Sequence, residues 1–175
     1  MPVVLLVKAP KRGGFMSHFG YGDMVFSFFS SISYNLEGLD NWGKRFPRLL
    51  LDLCDQGVVE NEKLDELQEE LNIISEELKR LDLSQAVYDI GDLSKGIPWD
   101  WWIPSNNKKP NLFQPWLTPR GGFSYFEVFA EYINLAKREK TSLLLIYPHE
   151  TALYKDALWD KKEKGRAYWI KDMPK

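Results

Sequence analysis

The sequence predicts a single α+β domain in which helices pack on one small, mostly antiparallel or mixed sheet. Apolar residues recur at helical spacing in several long segments, and short apolar runs lie between these segments, as expected for separated strands among helices. With 175 residues, of which 44% are hydrophobic, the chain can bury a core without disulfides or a structural metal. We therefore expect one domain that spans residues 1–175.

Apolar spacing and turn residues place the expected elements in order. Residues 3–7 are rich in β-branched side chains and end before Pro10 and Gly13-Gly14, which predicts a buried strand followed by a turn. Apolar spacings of three and four predict helices at 23–38, where Asp23 can act as the cap, and at 44–55, 64–81 and 123–139. Further strands are expected at 86–90, 143–147 and 167–170, and a short helix at 149–160.

The most regular pattern is an apolar stripe in the middle of the chain. It consists of Leu64, Leu67, Leu71, Ile74, Leu78 and Leu81, at spacings of 3, 4, 3, 4 and 3. So narrow a stripe fits a helix that lies on a sheet or on another helix. Because the stripe has fewer than the three or four heptads typical of a coiled coil, we expect it to pack against the preceding helix.

The chain from residue 91 to residue 122 is rich in proline and aromatic residues, which predicts little regular structure. It contains Pro98, Trp99, Trp101, Trp102, Pro104, Pro110, Phe113, Pro115, Trp116 and Pro119. Because so many aromatic side chains would not stay in water, we expect a long ordered loop packed over the core rather than a disordered linker.

Charge is distributed unevenly along the chain. Residues 51–92 hold thirteen acidic and three basic residues, a net charge of −10, whereas the whole chain has a net charge of −2. An acidic surface of this density repels nucleic acid and raises the rate of encounter with a basic partner. The alternative is a solvated helix face without a partner.

Few residues could support catalysis or metal binding. Cys54 is the one cysteine, and with His18 and His149 it shows neither a nucleophile–base motif nor zinc-ligand spacing, so we expect no catalytic thiol, metal or cofactor. Asp89 and Asp92 could form a catalytic carboxylate pair, but a turn role explains Asp92 more simply. A single cysteine favours a reducing compartment, and apolar runs of five residues are too short to cross a membrane.

Trp99, Trp101 and Trp102 form the densest aromatic cluster. Such a cluster can stack nucleic-acid bases, but single-strand binders also need a basic groove, and Asp100 lies between these tryptophans. The alternative is a packed loop or a protein-contact hot spot. We therefore expect a protein partner and no direct binding to nucleic acid.

Four segments form a recognisable series of motifs: residues 27–37 (SFFSSISYNLE), 42–47 (WGKRFP), 87–94 (VYDIGDLS) with Pro98-Trp99, and 123–136. This series resembles the immunity protein 70 family, small bacterial proteins encoded beside polymorphic or contact-dependent growth inhibition toxins, whose signature is Trp-Gly-x-Arg-Phe-Pro. The resemblance covers residues 15–147. Residues 100–118 look longer and more aromatic than in the family, and residues 148–175 look like a C-terminal extension.

The resemblance implies a non-enzymatic inhibitor that binds and neutralises the toxic C-terminal domain of a neighbouring gene's product in the bacterial cytoplasm. Many such toxins act on nucleic acid, so the acidic segment favours a basic, nuclease-like partner. We place the contact on acids of the predicted helix and on two tryptophans: Glu62, Asp65, Glu66, Glu69, Glu70, Trp101 and Trp102.

Two other functions fit the same predicted fold. An adaptor would use the leucine stripe to pair with a helix of another chain and would form a concentration-dependent oligomer. A small-substrate enzyme would have a pocket under the aromatic loop, near Asp89 and His149. The sequence leaves the oligomeric state open.

Overall fold

The computed structural model describes residues 2–9, 13–96, 111–116, 124–146 and 168–169. These residues form an α+β fold, as the sequence predicts. The strands are β1 (Pro2–Ala9), β2 (Gly13–Tyr21), β3 (Val58–Val59), β4 (Leu143–Ile146) and β5 (Tyr168–Trp169). The α-helices are α1 (Gly22–Ile32), α2 (Leu64–Leu78) and α3 (Tyr125–Glu139), with π-helical segments at Ser33–Glu37 and Arg48–Asp55.

The strands form one antiparallel sheet in the order β3-β4-β1-β2-β5. β1 and β4 confirm the strands predicted at 3–7 and 143–147, and they pair from Val4↔Ile146 to Val7↔Leu143. β5 confirms the strand predicted at 167–170 for two of its residues and pairs with β2. Every pairing is antiparallel, so the alternative of a mixed sheet is excluded for the described strands.

The sequence does not predict β2, because the glycines at its ends are typical of turns. Gly13-Gly14 begins the strand, and Gly20-Tyr21 ends it. Glycine is unfavourable in strands, but these glycines lie at the two ends, and pairing with β1 along the whole strand outweighs their weak propensity. The predicted turn at Gly13-Gly14 is therefore wrong.

The strand predicted at 86–90 is also wrong. Residues 86–90 form no strand; the Val87 backbone N–H donates to Asn35 Oδ1 at 3.1 Å, and the Val87 carbonyl accepts from Asn35 Nδ2 at 2.8 Å. The Ile90 N–H donates to Ser30 Oγ at 2.5 Å. Side chains of α1 and of the π-helical segment Ser33–Glu37 thus form the backbone hydrogen bonds that a neighbouring strand would otherwise provide.

The four long predicted helices are present, with shifted ends. α1 begins at Gly22, so Asp23 lies inside the first turn instead of capping the helix. The helix predicted at 44–55 is the π-helix Arg48–Asp55, because residues 42–47 form a separate loop. α3 begins at a capping box in which Ser124 and Glu127 bond each other's backbone. The helix predicted at 149–160 lies outside the described residues.

The helices cover one face of the sheet and enclose an aromatic core. The centroid of the Phe28 ring lies 5.1 to 6.0 Å from the ring centroids of Trp116, Tyr125 and Phe129. Trp116 is fully buried, which confirms, for residues 111–116, that the aromatic loop packs over the core. The loop is predicted over 91–122, and its residues 97–110 and 117–122 lie outside the described residues.

The leucine stripe is buried along α2. Leu64, Leu67, Leu71, Ile74 and Leu78 are at most 2% exposed, and α2 packs on the π-helix and on α3. This confirms the prediction that the stripe packs against the preceding helix, which is the π-helix Arg48–Asp55. Leu81 lies in a turn beyond the end of α2, and its backbone carbonyl accepts a hydrogen bond from the Leu112 N–H. The surface that an adaptor would need is therefore inside the protein.

Candidate functional site

The outward face of α2 gathers most of the acids predicted to contact a partner. Glu62 lies in the turn before α2, and Glu66, Glu69 and Ile73 follow at spacings of four, three and four, which places all four side chains on one side of the helix. All four are exposed, and they lie opposite the buried leucines. We call these four residues the acidic face.

Two of the predicted acids are turned away from this face by contacts within the protein. Glu70 is half-buried, and its carboxylate accepts from the backbone N–H groups of Arg48 (3.0 Å) and Leu49 (2.8 Å) at the start of the π-helix. Burial raises the pKa of Glu70. Asp65 forms an ion pair with Lys137 of α3 at 2.5 Å. Glu70 therefore joins two helices, and Asp65 has a cation of its own.

The Glu66 side chain is exposed, but an arginine of the same chain contacts its carboxylate. Its Oε2 lies 3.2 Å from Nε of Arg48, an ion pair rather than an aligned hydrogen bond. The Arg48 side chain is 20% exposed and also pairs with Asp52, which in turn contacts Lys63 at 3.1 Å. Arg48 and Lys63 thus supply two positive charges beside the carboxylates of Asp52 and Glu66.

Glu62 and Glu69 are different. Both are exposed, and no ion pair or hydrogen bond engages either carboxylate in the described part of the chain. Ile73 beside them is 46% exposed. The outer side of α2 therefore presents an apolar side chain flanked by two carboxylates that no cation of the described residues engages.

Ile73 was missed in the sequence. The signal was present, because Ile73-Ile74 places two isoleucines side by side and only Ile74 fits the spacing of the buried stripe. The predicted anchors Trp101 and Trp102 lie outside the described residues.

Glu37 is a second residue whose role the sequence pattern does not indicate. Its carboxylate accepts from the backbone N–H groups of Gly43, Arg45 and Phe46, each at 2.8 Å, and from Ser33 Oγ at 3.3 Å. A carboxylate that accepts this many donors is strongly ordered. Glu37 thereby fixes the Trp-Gly-Lys-Arg-Phe-Pro motif, residues 42–47, against the end of the π-helical segment Ser33–Glu37.

The same motif holds the neighbouring helices. Trp42 Nε1 donates to Asp55 of the π-helix at 3.0 Å, and Arg45 forms a two-bond ion pair with Glu77 in the last turn of α2, one bond being 2.7 Å long. Phe46 is buried beneath Arg45. The motif is thus a scaffold that helps to fix α2, and it lies beside the acidic face rather than in it.

The pair between Arg45 and Glu77 gives a pH-dependent prediction. Its hydrogen bond lowers the pKa of Glu77, so the stability that Glu77 contributes is present above the ordinary glutamate pKa and is lost as the pH falls through the lowered value. A double-mutant cycle with Arg45→Gln and Glu77→Gln should give a coupling free energy below about 1 kcal/mol at pH 7. The coupling should disappear in acid; a coupling that persists after Glu77 is protonated would contradict this assignment.

The other chemical candidates are engaged in structural roles. Burial, with a contribution from Asp55, raises the pKa of the Cys54 thiol to about 12, so the thiol stays protonated near neutral pH and is a poor nucleophile. Asp92 accepts from Ser94 N–H (3.1 Å) and Ser94 Oγ (2.7 Å), which confirms its turn role. Asp89 pairs with Lys95 at 2.7 Å, a hydrogen bond that lowers the pKa of Asp89. His149 lies outside the described residues.

The described residues contain neither a cluster of metal ligands nor a membrane-spanning helix. No group of three or more His, Cys, Asp or Glu side chains there could hold a metal ion. No helix in the described ranges has the length and apolar character to cross a membrane.

A model of the family Immunity protein 70 matches residues 11–145. The chain belongs to this family. The Immunity protein 70 match includes the motif at 42–47 and the whole acidic face, and family membership implies that the protein's partner is a toxin. β5 lies beyond the matched residues and still pairs with Phe15 and Met16 of β2. No curated protein and no solved structure matches the chain.

Proposed function

We propose that this Immunity protein 70 member neutralises its toxin by binding the toxin's C-terminal domain through the acidic face, without catalysing a reaction. We further propose that the toxin domain is basic and nuclease-like and that binding occurs in the bacterial cytoplasm. Family membership carries this proposal, together with the exposed carboxylates of Glu62 and Glu69, which no cation of the described residues engages.

Charge complementarity supports a basic partner. Arg48, Lys63 and Lys137 balance the acids nearest to them, so the field outside α2 comes chiefly from the outermost carboxylates. A nuclease must attract phosphates, and its cleft is therefore positive in the place where an acidic inhibitor would bind. The acidic face would then occupy the surface that the nucleic acid needs.

The alternatives have less support. The adaptor hypothesis depends on a leucine stripe that the fold buries, with Leu71 only 2% exposed. The enzyme hypothesis depends on Asp89, whose carboxylate is engaged by Lys95 and by the Gly91 N–H at 2.9 Å. A binding role fits these contacts better than either alternative.

The first experiment uses the toxin fragment encoded beside the gene. Calorimetry of the full chain with this fragment should give a dissociation constant of about nanomolar or tighter, and co-expression should restore growth of cells that produce the toxin. A C-terminal fragment of an unrelated toxin is the control for specificity. Absence of binding, with toxicity unrelieved, would refute the proposal.

A competition experiment tests the nuclease-like character separately. If the acidic face covers a nucleic-acid cleft, a nucleic-acid substrate and the immunity protein should exclude one another from the toxin fragment. Simultaneous binding of both would retain the immunity function but would reject the placement over the cleft.

A further inference from the structure

Arg48 occupies a central position beneath the acidic face. It lies at the start of the π-helix, its side chain is 20% exposed, and it contacts Asp52 at 2.5 Å and Glu66 at 3.2 Å. Its backbone N–H, in addition, donates to Glu70 at 3.0 Å. Both the main chain and the side chain of residue 48 therefore connect the π-helix to α2.

This contact distinguishes Glu66 from the other carboxylates of the acidic face. The Glu66 side chain is 62% exposed, yet one of its oxygens is held from below by Arg48. Glu62 and Glu69 have no such support in the described part of the chain. A side chain that is already ordered loses less conformational entropy when a partner binds it.

Resting on the proposed function, we propose that Arg48 is a positioning residue for toxin binding, and that it holds Glu66 as the specificity-determining carboxylate of the acidic face. The group on the toxin that fits Glu66 is a guanidinium or an ammonium, which would bind the carboxylate oxygen that Arg48 leaves free. Ile73, two turns further along the same side of α2, provides the adjacent apolar contact.

The role of Glu66 is tested by comparing the toxin affinity of three variants that each remove one negative charge from the acidic face. Glu66→Gln should weaken binding of the cognate toxin fragment by about tenfold or more, whereas Glu62→Gln and Glu69→Gln should each weaken it by about threefold or less. All three variants remove one exposed negative charge. Equal losses for the three would overturn the proposal.

The role of Arg48 needs a variant that keeps the fold. Arg48→Lys retains the cation for Asp52, and it retains the backbone N–H that Glu70 accepts, but it loses the Nε that supports Glu66. Lys63 also remains beside Asp52. We expect unchanged circular dichroism and a several-fold weaker affinity for the toxin.

A double-mutant cycle separates positioning from a general structural effect. If Arg48 acts through Glu66, Arg48→Lys should have no further effect on affinity in the Glu66→Gln background. An equal effect in both backgrounds, or an unchanged affinity in the single variant, would overturn the inference. Failure of the wild-type protein to bind the toxin would refute the proposed function instead, so the two failures are distinguishable.

Discussion

Gly43→Ala is expected to destabilise the protein by about 2–5 kcal/mol, the sum of backbone strain and overpacking. Gly43 has a φ of 70°, in the left-handed region that other residues adopt at a cost. A Cβ atom there would overlap Cγ of Leu51 in the π-helix, far inside van der Waals contact. The loss should appear in the free energy of unfolding measured by urea denaturation.

Gly96→Ala is the matched control. A Cβ atom at Gly96 would have no heavy atom within 4 Å, and its φ lies outside the left-handed range. Its free energy of unfolding should change by no more than about 0.5 kcal/mol, as is usual for surface substitutions. Similar losses for the two variants would show that the 42–47 loop is not the rigid scaffold described above.

The sequence predicted best those elements whose periodicity comes from burial on one side. α2 is the clearest case, since five residues of its stripe are buried at the expected spacing. The errors arose where a partner distant in sequence decides the structure. β2 depends on β1 for its hydrogen bonds, and the segment at Val87 depends on Asn35; neither partner can be recognised from local propensity.

The candidate site was predictable in its location but not in its details. The acidic composition and the helical spacing indicated a charged face, and three of its residues, Glu62, Glu66 and Glu69, were named from them. The sequence did not indicate which carboxylates the chain would use for itself. Glu70 bonds a backbone 21 and 22 residues away, and no rule of helical spacing predicts such a contact.

Reversal of charge at Glu62 and Glu69 is expected to have the largest effect on the rate of association with the toxin. The variant Glu62→Lys with Glu69→Lys replaces two exposed carboxylates by cations and leaves the contacts of Arg48 intact. Because electrostatic attraction acts mainly on encounter, the association rate with a basic toxin fragment should fall about 10- to 100-fold at low salt. Stopped-flow kinetics would measure it, and the protein should protect growth less well.

A double variant of equal charge provides the control. Asp40 and Glu131 are exposed and lie outside the acidic face, so Asp40→Lys with Glu131→Lys changes the net charge by the same amount. This control should slow association only slightly, and the difference between the two variants should shrink at high salt because ions screen exposed charges. If both variants slow association equally, only the net charge attracts the toxin, and the proposed contact on α2 is wrong.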